Sequence, residues 1–483
     1  MGMQAGAEIS AGDTQGHITG YGTKAYRSYV LNALLLVYIL NFLDRGLLGI
    51  LAEPVMNDLQ ITDGDFGLLT GLGFALLYSV VGIPLAHLAE TRTRVIIMGI
   101  CFVLWSAATA GSGLSGDVNV FGIAISGFGV LFIMRVLVGI GEAGCTPPAN
   151  SLIADYYPPA RRSTALGYYA MGVTGGTLVA NLFGGQIAEM FDWRVAFYVV
   201  GIAGIIVAVV FILTVKEPPR GYSDPPGSAR VGRASFGDAL KELSSKRSFW
   251  LMAVGATLAS FCGYGITTFQ TPFLMRTHGL SLGDATLLFN VPSAFAASVG
   301  VFMTGWIAEK IVKTRPNAIA WLPAMGFIIA VPFYVIAFSS DNEWICLAGI
   351  CIGAGVKYGY LAAQYTIGQG VVGMRTRATA TAILLFIINL FGYGTGPWFI
   401  GQVSDFFFRS QAAAEGFAEL ARQSCKGEAL KGLAENAQAF CARADAAALQ
   451  SSLVITSILY VTPAIFFLLC MKTLQKDLAA KPV

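Results

Sequence analysis

The chain has 483 residues, 55% of them apolar and only 12% charged, with a formal net charge of +3 and a mean hydropathy of +0.65. A soluble domain carries about a quarter charged residues, so this chain cannot cover a water-exposed surface and its apolar excess must face lipid. Three histidines and eight cysteines without C-x-x-C or H-E-x-x-H spacing argue against a metal centre, and no Gly-x-x-x-x-Gly-Lys-Ser/Thr loop is present to drive an ATP pump. No cofactor and no nucleic-acid partner is expected.

Residues 1–26 are polar and Gly-rich and read as a tail. The apolar run that begins near Arg27 is too long for a signal-peptide core, so it is expected to insert uncleaved. At about 20 apolar residues per span, six spans are expected over 27–50, 66–89, 95–114, 120–150, 164–190 and 194–215, an N-terminal bundle of residues 27–215. Residues 216–248 form a Pro/Gly/Ser-rich linker with seven Lys or Arg, in which Ser235 to Leu243 suits a short amphipathic helix with Ser235 as N-cap. Six more spans are expected over 249–275, 283–312, 317–338, 343–371, 378–403 and 450–472, a C-terminal bundle of residues 249–472, and 473–483 reads as a second tail.

Twelve spans put both termini on one side. That side collects 21 Lys or Arg, the other seven, five of them in one loop. The positive-inside rule therefore places both termini in the cytoplasm. The loop at 404–449 alternates apolar and charged residues and reads as an extracytoplasmic insertion with one or two short helices. Cys425 and Cys441 in it would face an oxidising compartment, which leaves a disulfide between them open.

A repeat organises the two bundles. Ala86-His87-Leu88-Ala89-Glu90-Thr91-Arg92-Thr93-Arg94 recurs 219 residues later as Gly305-Trp306-Ile307-Ala308-Glu309-Lys310-Ile311-Val312-Lys313. Arg162-Ser163-Thr164-Ala165 recurs as Arg377-Ala378-Thr379-Ala380 at an offset of 215. Short inner loops attract cations, but that does not explain the preceding small-x-aliphatic-Ala-Glu. Parallel repeats of six spans are a transporter architecture. The segments resemble the Gly-x-Leu-Ala-Asp-Arg-x-x-Arg signature of the major facilitator superfamily, departing from it at Ala86, Glu90 and Thr91. The resemblance implies an all-α fold of twelve transmembrane helices in two pseudo-symmetric six-helix bundles. It also implies a cytoplasmic latch at Glu90, Arg92 and Arg94, with Arg161, Arg162, Glu309 and Lys310 at the equivalent and neighbouring inner loops. A carboxylate at one helix end facing cations on a neighbour makes a pair that breaks when the halves rock.

Five charges lie where a lipid-spanning helix should avoid them: Asp44 and Arg45 in the first span, Arg135 and Glu142 in the fourth, and Lys357 in the tenth. Each costs about 2.5–3.5 kcal/mol unpaired at mid-membrane, so they must face a polar cavity or one another. Asp44 and Arg45 are about 100° apart on a helix and must address different neighbours. Arg135 and Glu142 lie on one face about 10.5 Å apart. A cross-helix cluster of these four is expected, set against the plainer reading of a permanent ion network that only fixes packing. The 215-residue offset places Lys357 opposite Glu142. Arg135-x-x-x-Gly139-x-Gly141 resembles a superfamily pattern whose arginine is tied to proton coupling.

Further stretches look like the Spinster-type lipid transporters: Asn41-Phe42-Leu43-Asp44-Arg45, Gly139-Ile140-Gly141-Glu142-Ala143, Ala149 to Asp155, Trp193 to Phe197 and Glu217-Pro218-Pro219-Arg220-Gly221. This resemblance makes Asp44, Arg45 and Glu142, with Asn41 beside them, the polar cavity residues. It implies a lysophospholipid or sphingoid-phosphate-like substrate with a single tail. Phe261, Tyr264, Phe289, Phe386 and Tyr393 would line the tail region, and Asn181, Gln364 and Asn389 would be polar neighbours. Aromatic residues in any bundle also serve packing, and a carrier of small organic anions or drug-like molecules shares much of the helix-four pattern. The expected protein is a monomeric secondary transporter of a bacterial inner membrane, not an enzyme, with proton coupling left open. The histidines at 17, 87 and 278 are dispersed, which leaves no catalytic constellation.

Overall fold

The structure is a computed structural model that describes residues 16–120, 123–224, 236–312, 314–315, 317–373 and 375–479. Ser235, Lys313, Lys481, most of the N-terminal tail and the middle of the linker lie outside the described residues.

Apolar runs of membrane length dictate helices, because backbone polar groups in hydrocarbon must be satisfied within the segment. The N-terminal bundle comprises α1 (Lys24–Ile50), α2 (Asp63–Thr91), α3 (Arg94–Ser112), α4 (Gly127–Tyr156), α5 (Pro159–Val179, continued by a π turn into Gly185–Met190) and α6 (Trp193–Thr214). The C-terminal bundle comprises α7 (Arg247–His278), α8 (Leu282–Val312), α9 (Ala318–Ser339), α10 (Glu343–Gly370), α11 (Thr379–Ala414) and α12 (Glu435–Leu478). Eleven of these are both long and apolar enough to cross a membrane. The exception is α5, whose Arg161, Arg162 and glycines lower its hydropathy. It packs along α1, where Gly172 and Gly176 receive Tyr38 and Phe42.

The linker helix is described over Phe236–Ser244. A short hairpin pairs Val118–Val120 with Ile123–Ile125 between α3 and α4. The boundaries around 404–449 differ from the expected ones. Helix α11 runs on to Ala414 and α12 starts at Glu435, so the insertion between them shrinks to 415–434, with Arg422–Cys425 and Gly427–Lys431 as its short helices. Several of the charges that make this stretch look solvated are instead buried in ion pairs, Asp405 and Asp445 with Arg422 and Asp445 with Lys426. Cys425 and Cys441 are joined in a disulfide, their Cα atoms 5.4 Å apart.

The bundles meet at the side away from the termini. The first turns of α2 pack on α11, where Gly67 lies against the backbone of Pro397 and Gly401 against that of Asp63. Residues Ala52–Leu59, which extend α1, pack on α7 and on Gly427–Lys431. Glu189 at the end of α5 accepts the Gly283 backbone N–H of α8 at 2.6 Å.

Candidate functional site

Helix α1 presents Asn41 and Asp44 to the interior of the N-terminal bundle and turns Arg45 toward α2 and α4. The angular separation of adjacent helical residues sends the two charges to different partners. Asp44 is buried, accepts a 2.8 Å hydrogen bond from Thr109 of α3 and stands 3.6 Å from Arg135 of α4. Arg45 donates from Nε to Glu142 at 2.5 Å. Its guanidinium also lies over the rings of Phe42, Phe74 and Tyr78, at 5.1, 4.9 and 4.7 Å from their centroids.

Two turns of α4 separate Arg135 from Glu142, which is why one meets Asp44 and the other Arg45. The glycines between them bring α4 close. A Cβ on Gly139 would stand 2.6 Å from the Phe74 carbonyl oxygen of α2, and one on Gly141 2.7 Å from Trp105 of α3.

The four charges form two pairs with hydrogen-bonding capacity left over. Both amide atoms of Asn41, Asp44 Oδ2, Arg135 Nε and Nη1, and Glu142 Oε1 are buried without a hydrogen-bond partner. Such groups are costly in an apolar interior, so the cluster has unmet demand for polar partners. Thr109, Phe42, Phe74 and Tyr78 belong to it and were not singled out from sequence. A hydroxyl or ring in a span carries no signal until its neighbours are known.

Lys357 stands at the position equivalent to Glu142 in the repeat. It is buried in the C-terminal bundle among Tyr334, Tyr358 and Tyr460, with Nζ 5.3, 4.8 and 5.8 Å from their ring centroids. Gln364, one helical segment later on α10, is buried with Oε1 unpaired.

Tyr393 of α11 connects the halves. It meets Phe74 of α2 edge-on at 5.4 Å and Tyr264 of α7 at 4.4 Å. Phe386 and Asn389 are half-buried on the same helix. Phe261 packs on Phe399, and Phe289 is buried in the C-terminal core. Asn181 sits in the π turn of α5 and donates to the Thr177 carbonyl of its own helix at 2.8 Å.

The inner-loop residues separate as well. Arg94 is fully buried and belongs to a network inside one half: it donates to Glu217 at 2.6 Å, to Ser151 Oγ at 2.8 Å and to the Pro218 carbonyl at 2.9 Å, and pairs with Asp155. Its place at the start of α3 turns it toward the end of α4 and the strand leaving α6. Arg162 is held similarly by the Ala154 carbonyl and by Asp224 at 3.0 Å. Glu90, Arg92, Arg161, Glu309 and Lys310 are exposed; Glu90 is 3.9 Å from His87, Arg161 borders a groove with Lys24 and Arg27, and Lys310 lies 3.6 Å over Trp306.

At the opposite side the halves are tied by charges that sequence reading passed over. Arg276 of α7 donates to Glu53 at 2.8 Å and to Asp63 at 2.9 and 3.0 Å. Arg422 of the insertion donates to Asp63 at 2.8 Å, to Asp405 at 2.6 Å and to Asp445 at 2.5 Å. Burial alone would lower the pKa of Arg422, but the carboxylates of Asp445, Asp63 and Asp405 more than offset it and hold the guanidinium above its ordinary value. Lys426 pairs with Asp445 and stands 3.9 Å from Glu53. These residues sit at span ends, where charges are ordinary, so only their convergence marks them.

The Major Facilitator Superfamily model matches residues 34–397. An MFS-type efflux pump of Mycolicibacterium smegmatis (strain ATCC 700084 / mc(2)155) is 32% identical over 375 residues, covering 78% of this chain and 84% of its own length. Protein spinster homolog 3 of Danio rerio is 28% identical, covering 78% of this chain and 77% of its own. Among solved structures, a bacterial homolog of the human lysosomal transporter Spinster, in an inward-facing and unoccupied conformation, is 40% identical. It matches with a TM-score of 0.85 over 94% of this chain and 99% of its own.

Proposed function

Because the chain belongs to the major facilitator superfamily and, within it, to the Spinster-type transporters, we propose that it carries a single-tailed amphipathic lipid, a lysophospholipid or a sphingoid phosphate, across the membrane by alternating access. One observation carries this reading: the Arg45 guanidinium lies between the Glu142 carboxylate and three aromatic rings. A cation on an apolar aromatic wall suits a molecule with an anionic head and a hydrocarbon tail. An anionic head would compete with Glu142 for Arg45.

The mechanism follows from that competition. Protonation of Glu142 or Asp44 removes the charge that holds Arg45 or Arg135, freeing the arginine for the substrate head and loosening α1 from α4. The likeness to an inward-facing structure and the closure opposite the termini support a state open toward the terminus-bearing side. The 21-to-7 basic asymmetry and the disulfide at the other side support a cytoplasmic location of both termini, in a bacterial inner membrane.

The M. smegmatis relative is named an efflux pump, which supports a second reading, export of a drug-like molecule or organic anion. Proteoliposomes of phosphatidylcholine separate the two. Saturable counterflow of a fluorescent lysophospholipid that is lost in Arg45→Ala supports the lipid reading. Counterflow of small anions or dyes with no competition by lysophospholipid overturns it.

A further inference from the structure

We propose that the disulfide-bonded insertion between α11 and α12 positions the outer closure: the Cys425–Cys441 bond holds Arg422 and Lys426 where they bind Asp63 and Glu53 of the other half. This rests on the alternating-access reading above. The N-terminal half brings only carboxylates to this contact, Glu53 and Asp63. The C-terminal half brings Asp405 and Asp445 with Arg276. Without the insertion, Arg276 alone would face four carboxylates and the two halves would repel. Arg422 and Lys426 reverse the sign of that face.

Both cations depend on the bridge for their place. Cys425 lies three residues after Arg422 and directly before Lys426, in a four-residue 3-10 helix too short to hold its own conformation. Cys441 lies one helical turn before Asp445 on α12, the carboxylate that both cations contact. The bond therefore fastens the cation-bearing turn to the helix face carrying their common acceptor. Gly427 follows at φ +51° against the backbone of Asn57, so the insertion touches the extension of α1 directly. The seven charged side chains keep at most 11% of their surface exposed, so misplacing the cations would leave carboxylates unpaired in a low-dielectric contact. The consequence is directional: releasing the clamp weakens the closed outer side and leaves the inner side untouched.

Hydrogen–deuterium exchange of the full chain in nanodiscs tests this. In Cys425→Ser/Cys441→Ser, exchange in 52–59, 63–70 and 396–405 should rise by on the order of tenfold, the effect of losing one charge-assisted contact. Exchange in α3 and α6 should not change. Arg422→Gln/Lys426→Gln keeps the disulfide and should produce the same rise, which guards against a folding defect in the cysteine variant. In a Glu53→Gln/Asp63→Asn background the serine substitutions should add little, because both contacts they support are already lost. An undiminished effect in that background, or no effect of either double variant, overturns the proposal. Failure of alternating access itself would show separately, as wild-type counterflow without any reciprocal change in exchange between the two sides.

Discussion

Arg276 of one half grips Asp63 of the other through two parallel hydrogen bonds of 2.9 and 3.0 Å. The fork geometry matches guanidinium to carboxylate and cannot be reproduced by a lysine. The pair therefore ties the two halves at the side away from the termini.

Arg276→Lys keeps the charge and loses the fork. The closed outer side should weaken by about 1.5–3 kcal/mol, the worth of a charged hydrogen bond. Longer distances between spin labels at the outer ends of α2 and α7 would report it; an unchanged distance distribution would show that the pair is dispensable.

Glu142→Gln keeps the shape of the acceptor and removes its charge. Arg45, at 2.5 Å from it, would be left permanently without a counter-ion, as if Glu142 were always protonated. Lysophospholipid counterflow is expected to persist and its pH dependence to flatten, because Arg45 is then free for the substrate head at every pH. Transport with a wild-type pH profile between pH 5.5 and 8 would remove Glu142 from coupling.

Arg94→Ala should act on stability alone. The side chain is buried among Asp155, Glu217 and Ser151, and deleting it strands two carboxylates at a cost of about 3–5 kcal/mol. Arg92→Ala, two residues away and exposed, should stay within about 0.5 kcal/mol. Thermal unfolding in detergent compares the two, and equal melting temperatures would contradict the network.

Lys357→Met replaces a buried cation that sits among three tyrosines. Stability should hold or rise by about 1–4 kcal/mol, as when a buried ionic group yields to an apolar one of similar volume. If Lys357 meets the anionic head, counterflow of phosphate-bearing lipids falls while that of neutral single-tailed lipids persists. An equal loss for both would assign it to packing.

Gly67→Val tests the closure from the backbone side. Any Cβ there meets the Pro397 carbonyl, and neither backbone can yield. The variant should be held open on the outer side and show little counterflow, with folding measured by thermal unfolding as the control.

The amino-acid sequence alone determined how many long apolar runs there are, their offset repeat and the presence of charges inside those runs. Run length, offset and polarity are properties of the chain that need no neighbour. It also determined that Asp44 and Arg45 diverge, since a helix sets that angle. Tertiary structure decided the rest: that Asp44 goes to Thr109 and Arg135, that Arg45 takes Glu142, that Lys357 lies among tyrosines, and that Arg94 is a buried tie within one half. It alone decided the contact between the halves away from the termini, where Glu53, Asp63, Arg276, Asp405, Arg422, Lys426 and Asp445 converge from six segments. Each of these stands near a span end or in a loop, where a charge costs little and so signals little; only packing removes the water between them and turns seven ordinary residues into one contact.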